Sequence, residues 1–259
     1  MYIKPYDELT IQDNFIFQKV MRNKRICKQT IERLLDIDIK DISYPEEKSI
    51  NVRLDSKSIR LDVYVNDDKG TVFNIEMQTT KDMDELVKRA RYYQGLIDID
   101  NIEKGQNYSA LHDTYIIFIC TFGVFTGKRH KYTFRNLCIE NSEILLNDGT
   151  TKLFLSTKGE ADDVSKPLKM FLDYVDGKKP EDALMQEIDH EVDTVKHCDE
   201  WRRDYMTLAL EMDKKWREGK AEGKIEAIRN AIKDGLTTLA AVKKSGRYTE
   251  EEIAAIAAP

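Results

Sequence analysis

Residues 59–78 read Ile59-Arg60-Leu61-Asp62-Val63-Tyr64-Val65-Asn66, then Asp67-Asp68-Lys69-Gly70, then Thr71-Val72-Phe73-Asn74-Ile75-Glu76-Met77-Gln78. Leu61, Val63 and Val65 in the first run, and Phe73, Ile75 and Met77 in the second, are apolar, with polar residues between them. That period of two is the mark of paired strands, and Asn66 to Gly70 is a turn signal. A three-residue loop Asp68-Lys69-Gly70, with Gly70 in the left-handed region, sets Asp67 opposite Thr71, Val65 opposite Phe73, Val63 opposite Ile75 and Leu61 opposite Met77. The apolar partners then share one face, and a one-residue slip would scramble both faces. The second face holds Arg60, Asp62 and Tyr64 against Gln78, Glu76 and Asn74.

In this register Asp62 lies across from Glu76. Directly opposed residues have Cβ atoms about 4.5–5.5 Å apart, and like charges there repel. A hard divalent cation would compensate them, since Mg²⁺ takes oxygen ligands from one or two carboxylates, water and phosphate. The plainer reading is a solvated polar face whose acids oppose each other by accident or bracket Arg60.

Further strands and helices extend outward from the hairpin. A helix is expected from Ile11 to Leu35, with Thr10 as N-cap and Asp13 at the third helical position. A strand is expected at Ile50–Leu54, closed by turn residues 55–58. A helix follows at Met83–Asp98. Thr114–Phe122 is continuously apolar and reads as a central strand covered on both faces. Lys131–Ile139 and Lys152–Thr157 read as strands, and Ser165–Val175 as a helix ending before Gly177. The order implies an α/β domain with a mixed sheet flanked by helices.

After Gly177-Lys178-Lys179-Pro180 no strand pattern remains. The expected boundary lies near residue 178, giving a domain at 1–178 and a helical region at 179–259 for association or DNA binding. Trp201, Tyr205, Leu208, Met212 and Lys215/Trp216 recur at spacings of four and three, an a/d-like seam. It reads as intrachain packing or as a homodimer contact through 201–216. Residues 218–224 read as a solvated helix weakened by Gly219 and Gly223. Thr249 and Glu252 form a capping box for a terminal helix. Residues 234–258 read as a two-helix cap, or as a helix-turn-helix turning at Ser245-Gly246.

With 259 residues the chain can bury a sizeable core without disulfides or metals. Its 41 Lys and Arg against 47 Asp and Glu give a net charge of −6, which excludes a uniformly basic DNA-coating protein but not a local basic groove. Cys27, Cys120, Cys138 and Cys198 are scattered and form no CxxC pair. The apolar run Tyr115–Phe125 is far short of the roughly 20 residues a membrane helix needs. The N-terminal residues lack the apolar segment of a secretory signal. The expectation is a cytoplasmic protein with no membrane partner.

Arg60-Leu61-Asp62-Val63 followed by Glu76-Met77-Gln78 resembles the Asp…Glu-x-Lys signature of the PD-(D/E)XK nuclease superfamily. The resemblance is to its recombination-promoting nuclease and transposase branch, in which Gln commonly replaces the Lys. Asp13-Asn14-Phe15-Ile16-Phe17 resembles that family's first helix. Arg89-Ala90-Arg91-Tyr92-Tyr93-Gln94 resembles the helix after the motif. Tyr115–Ile119 with Phe122 and Phe125 resembles its central strand region. The four segments, in order, cover about residues 5 to 178.

The resemblance implies a restriction-endonuclease-like fold and Mg²⁺-dependent cleavage of DNA phosphodiesters, with Mn²⁺ as an alternative ion. Asp62 and Glu76 would bind the metal, with Met77 offering its carbonyl. Gln78 stands where the superfamily has a catalytic Lys, and an amide only donates or accepts hydrogen bonds. Asp13 reads as a third catalytic acid or as a helix cap. Arg89 reads as a phosphate contact, with Tyr93 and Gln94 lining the cleft, or as an Arg pairing with nearby acids. Lys128 and Arg129, in the basic run 128–131 with Arg135, read as DNA-backbone contacts or as a solvated loop.

Other signals are weak. Gly123 to Lys128 is one residue short of a P-loop, and the four histidines show no ligand spacing. The leading expectation is a divalent-metal-dependent DNA endonuclease, linked to recombination or mobile elements. The alternative is a weak or inactive DNA-binding or assembly module on the same fold, and an RNA-directed nuclease would present the same residues.

Overall fold

In the computed structural model the described residues are 3–51 and 58–258. They form two compact units, 7–198 and a second made of the N-terminal residues to Tyr6 with Asp199 onward.

The first unit opens with α1 (Asn14–Met21) and α2 (Lys24–Leu35) rather than one long helix. The break is at Asn23, whose side chain accepts from the Arg25 and Ile26 N–H groups and starts α2 afresh. Then come β1 (Glu46–Ile50), β2 (Ile59–Asn66), β3 (Val72–Gln78), α3 (Met83–Asn101), β4 (Thr114–Cys120), β5 (Lys131–Phe134), β6 (Thr150–Ser156), α4 (Lys166–Val175) and α5 (Ala183–Lys196). Of the strand expected at Ile50–Leu54, only Ile50 falls in β1. Residues 52–57 of that strand and turn lie outside the described residues.

The sheet is mixed and its order is β1-β2-β3-β4-β6-β5. β1, β2 and β3 form an antiparallel meander, β4 runs parallel to both β3 and β6, and β5 is antiparallel to β6. This is the restriction-endonuclease-like α/β arrangement. The hairpin pairs Val65 with Phe73 and Val63 with Ile75. Asp67 N–H donates to the Thr71 carbonyl at 3.0 Å. Gly70 has φ +86°, and a Cβ there would lie 2.8 Å from the His112 ring. The positive φ favours glycine, and the His112 ring would have to shift for any other residue.

Both faces of the sheet are covered. Leu86, Ala90, Tyr93 and Ile97 of α3 recur at helical spacing and pack with Tyr64, Ile116, Phe118 and Phe154. On the other side α1 lies against β2 and β3, and α5 packs on α1 and α2. The hairpin's polar face is therefore not a solvent face, because α3 covers it.

The compact unit runs past residue 178. Leu184, Met185, Ile188, Val192 and Val195 of α5 are buried, and Arg33 pairs with Asp182 at 2.6 Å. The composition changes at 178 because strands stop there. The core continues, since α5 supplies an apolar stripe to it.

In the second unit, α6 (Asp199–Lys233) is a 35-residue helix, about 52 Å long at 1.5 Å per residue. Near its start the Tyr205 hydroxyl donates to the Lys4 carbonyl at 2.6 Å, and Arg202 lies over the Tyr6 ring. α7 (Leu239–Lys244) and α8 (Glu250–Ala257) follow. α8 carries the Thr249/Glu252 capping box and packs back on α6, where Lys224 meets Glu252 at 3.0 Å. No described helix is long and apolar enough to cross a membrane.

Candidate active site

The hairpin ladder is regular up to the pair Val63 and Ile75. Beyond it, side chains take over from backbone partners. Met77 N–H donates to Asp62 Oδ2 at 3.3 Å, and Asp62 N–H donates to Glu76 Oε1 at 3.1 Å. From α1, Gln18 Nε2 donates to Asp62 Oδ1 at 2.7 Å. Asp62 is 5% exposed and Glu76 3%, so the two carboxyls sit together in a nearly dry site at the end of the hairpin.

That placement raises the proton affinity of both. Burial pushes Asp62 up to about 6, against the opposing pull of the Gln18 and Met77 bonds and the Arg60 and Arg89 charges. Glu76 is held well above the usual carboxylate range, first by burial and then by the charge of Asp62. Arg60 does not neutralise the pair, since its guanidinium meets Glu47 at 3.2 Å.

α3 supplies the nearest cation. The Arg89 guanidinium lies over the Tyr93 ring at 5.7 Å and the Phe118 ring at 5.4 Å. Its Nε and Nη2 are buried and have no hydrogen-bond partner among the described residues. Burial, then the nearby charge of Glu76, pushes the Tyr93 hydroxyl upward, so it stays neutral. Gln78, with Thr80, Asp82 and Arg89, lines a cavity of about 140 Å³, while its carbonyl accepts from Thr121 N–H at 3.0 Å. Gln94 Nε2 donates to Asp98 Oδ1 at 2.8 Å, and its own oxygen is buried without a partner.

Asp13 and the basic loop are placed differently. The Asp13 carboxylate accepts from Thr10 N–H at 2.7 Å and from the Thr10 hydroxyl at 3.2 Å. The α1 side chain that reaches Asp62 is Gln18. Sequence reasoning missed it, because a single Gln on an amphipathic helix carries no motif. Its spacing of one turn from Asn14 and Met21 was the available signal. Lys128 pairs with Glu160 at 2.8 Å and Arg129 with Asp163 at 3.1 Å. Both precede β5, the far edge strand, three strand positions from β3, or about 14 Å at 4.8 Å per strand.

Over residues 14–157 the chain matches the model of the PD-(D/E)XK nuclease family transposase. The chain belongs to that family. The match begins at the first residue of α1 and ends just after β6, so it takes in Gln18, Asp62, Glu76, Gln78 and Arg89 together. No curated protein and no solved structure matches the chain. Membership supports a nuclease or transposase-like role on nucleic acid, in a family whose nucleases typically use divalent metals.

The residues present fit such an ion. Two buried carboxylates hold raised proton affinities despite the nearby Arg89 charge, so a further cation would be favoured beside them. Among the described residues no cluster of three or more His, Cys, Asp or Glu could hold a metal. Two protein carboxylates completed by water and phosphate oxygens is the mode Mg²⁺ favours.

Proposed function

We propose that this chain is a divalent-metal-dependent endonuclease that hydrolyses DNA phosphodiesters, using Mg²⁺ or Mn²⁺. The single observation that carries the reading is the buried Asp62/Glu76 pair, whose raised proton affinities mark a site short of positive charge. Buried acids whose proton affinities are perturbed by a like-charged neighbour are a physical mark of a functional site.

In this reading Asp62 and Glu76 hold the ion. Met77 would add its carbonyl, because N–H and C=O of one strand residue project toward the same neighbour and its N–H already points to Asp62. A bound divalent ion lowers the pKa of water and neutralises charge on a phosphodiester under attack. Gln18 fixes the rotamer of Asp62 and leaves its second lone pairs for ligation. Arg89 presents its unpaired guanidinium nitrogens to the phosphate. Gln78 hydrogen-bonds the attacking water but takes no proton from it, so the proton leaves to solvent or to a phosphate oxygen.

Self-association along α6 belongs to the same proposal. The helix has no buried residue, and Met212 and Trp216 of the a/d seam are more than 40% exposed. A dimer would bring two active sites to one duplex. Sedimentation of Leu208→Glu/Met212→Glu tests it, with a shift to monomer expected.

The nuclease reading is tested by incubating supercoiled plasmid with Mg²⁺ or Mn²⁺, using wild-type and Glu76→Ala protein purified identically. Metal-dependent nicking or linearisation that disappears in Glu76→Ala is expected. Equal cleavage by both would place the chemistry elsewhere. No cleavage by either would favour a binding or assembly module.

A further inference from the structure

Beside the acid pair lies a second cavity, of about 330 Å³, whose walls include Ile59, Arg60, Lys88, Arg89, Tyr92 and Tyr93. Ile59 and Tyr93 are buried, while Tyr92 is 38% exposed at the mouth. Lys88, Arg89 and Arg60, the last paired with Glu47, supply the cations, and Glu85 is the acid on the wall. Arg89 also lines the smaller cavity beside Gln78, so the two spaces meet at one guanidinium. Arg60 stands two residues before Asp62 on β2, and Arg89 lies over the ring of Phe118, the β4 partner of Glu76, which sets the cavity beside the carboxylates.

Two tyrosines and an aliphatic floor under a cationic rim form a surface for a flat, apolar ring whose neighbouring group is anionic. The volume is at the lower end of small-molecule sites, roughly 300 Å³ and up, and suits one nucleotide. Aromatic side chains with basic neighbours are how proteins hold unpaired bases, because every base offers a π-face. In a duplex those faces are already stacked, and exposing one has an energetic cost.

We infer that the Tyr92/Tyr93 cavity receives an unpaired nucleobase next to the scissile phosphate, so that the enzyme prefers single-stranded or locally unpaired DNA over intact duplex. This rests on the nuclease reading and narrows its substrate class. Arg89 spans the two spaces, with its guanidinium toward the phosphate. Tyr92, at the mouth, stacks on the base, and Lys88 and Arg60 meet the flanking backbone.

The test has two parts, both on the full chain. Fluorescence anisotropy without metal compares a single-stranded oligonucleotide with its blunt duplex, for wild type, Tyr92→Ala and Tyr92→Phe. Cleavage of the same two substrates is then followed in Mn²⁺, with Glu76→Ala as control. Wild type is expected to bind and cut the single strand at least tenfold better. Tyr92→Ala should lose about tenfold on the single strand and under twofold on the duplex, while Tyr92→Phe keeps the preference. Glu76-dependent cutting of both substrates alike, or equal losses on both in Tyr92→Ala, would overturn this inference and leave the nuclease reading standing. Absence of metal-dependent cleavage on either substrate would remove both.

Discussion

Two sites in the first unit bury acidic side chains, and they do opposite things with the charge. At the β5 edge, the Asp163 side chain is 5% exposed and accepts from His130 N–H at 3.1 Å, with the His130 ring and Arg129 each 3.1 Å away. Burial alone would raise its proton affinity, but these donors and the Arg129 charge outweigh burial and hold it below the usual carboxylate range. At the end of the β2/β3 hairpin, Asp62 and Glu76 lie deeper and against one another, and both are pushed up. The two sites differ in depth as well as in compensation. Around Asp163 the His130 donors and the Arg129 charge outweigh burial, whereas around Asp62 and Glu76 burial outweighs the nearby donors and the Arg89 charge.

The sharpest way to break this contrast is to remove one acid from each site. Glu76→Ala or Asp62→Asn should lower metal-dependent cleavage by about a hundredfold to a thousandfold, the scale of losing a principal charge-stabilising group. Asp163→Asn should leave cleavage per folded molecule within about twofold. Plasmid assays on the three variants would decide it, and comparable losses in all three would dissolve the distinction.

Stability should move the other way. Asp163→Ala leaves His130 and Arg129 without their acid, and should cost about 2 kcal/mol, or roughly 4–8 °C in Tm for a unit of this size. Glu76→Gln removes repulsion between neighbours and should raise the metal-free Tm by a few degrees. A clear fall in Tm for Glu76→Gln would mean that Glu76 is a structural partner.

The pH dependence sharpens the point. Asp62 moves from an ordinary 3.8 to about 6 on folding, so the folded chain holds more protons between those values. Its contribution to metal-free stability therefore falls as pH rises from about 4 to about 6, and stays low above that. Metal affinity should rise over the same window, because only ionised carboxylates ligate. Thermal melts from pH 4 to 8, with and without Mn²⁺, should diverge with increasing pH. Parallel curves would count against the metal site.

The smallest effect is expected at Lys128. Its pair with Glu160 joins side chains 70% and 67% exposed, and such pairs are worth about 0–1 kcal/mol. Lys128→Gln should shift Tm by under about 2 °C and change cleavage less than Arg89→Gln does.

Much of this was legible in the sequence, and what was not has physical reasons. The hairpin register follows from alternation and one turn, both local, so Val63 falls opposite Ile75 in the structure as it does on paper. The proximity of Asp62 to Glu76 came with it. The ladder's opening did not, because it depends on Gln18 arriving from 44 residues away. Nor did the desolvation, since nothing in residues 59–78 says that α3 will cover the polar face. The first helix reads as one in the sequence because its apolar residues recur from Phe15 to Leu35, and only the Asn23 cap divides it. The boundary near 178 follows from the end of the strand pattern, which cannot reveal that α5 still packs on α1 and α2.

The most direct measurement is a calorimetric titration of the metal-free protein with Mn²⁺ at pH 7.5, beside Glu76→Gln. The account predicts saturable binding to wild type that weakens as pH falls toward 6 and is lost in Glu76→Gln. Equal binding by both proteins, or none by wild type, would contradict the claim that Asp62 and Glu76 are poised for a metal.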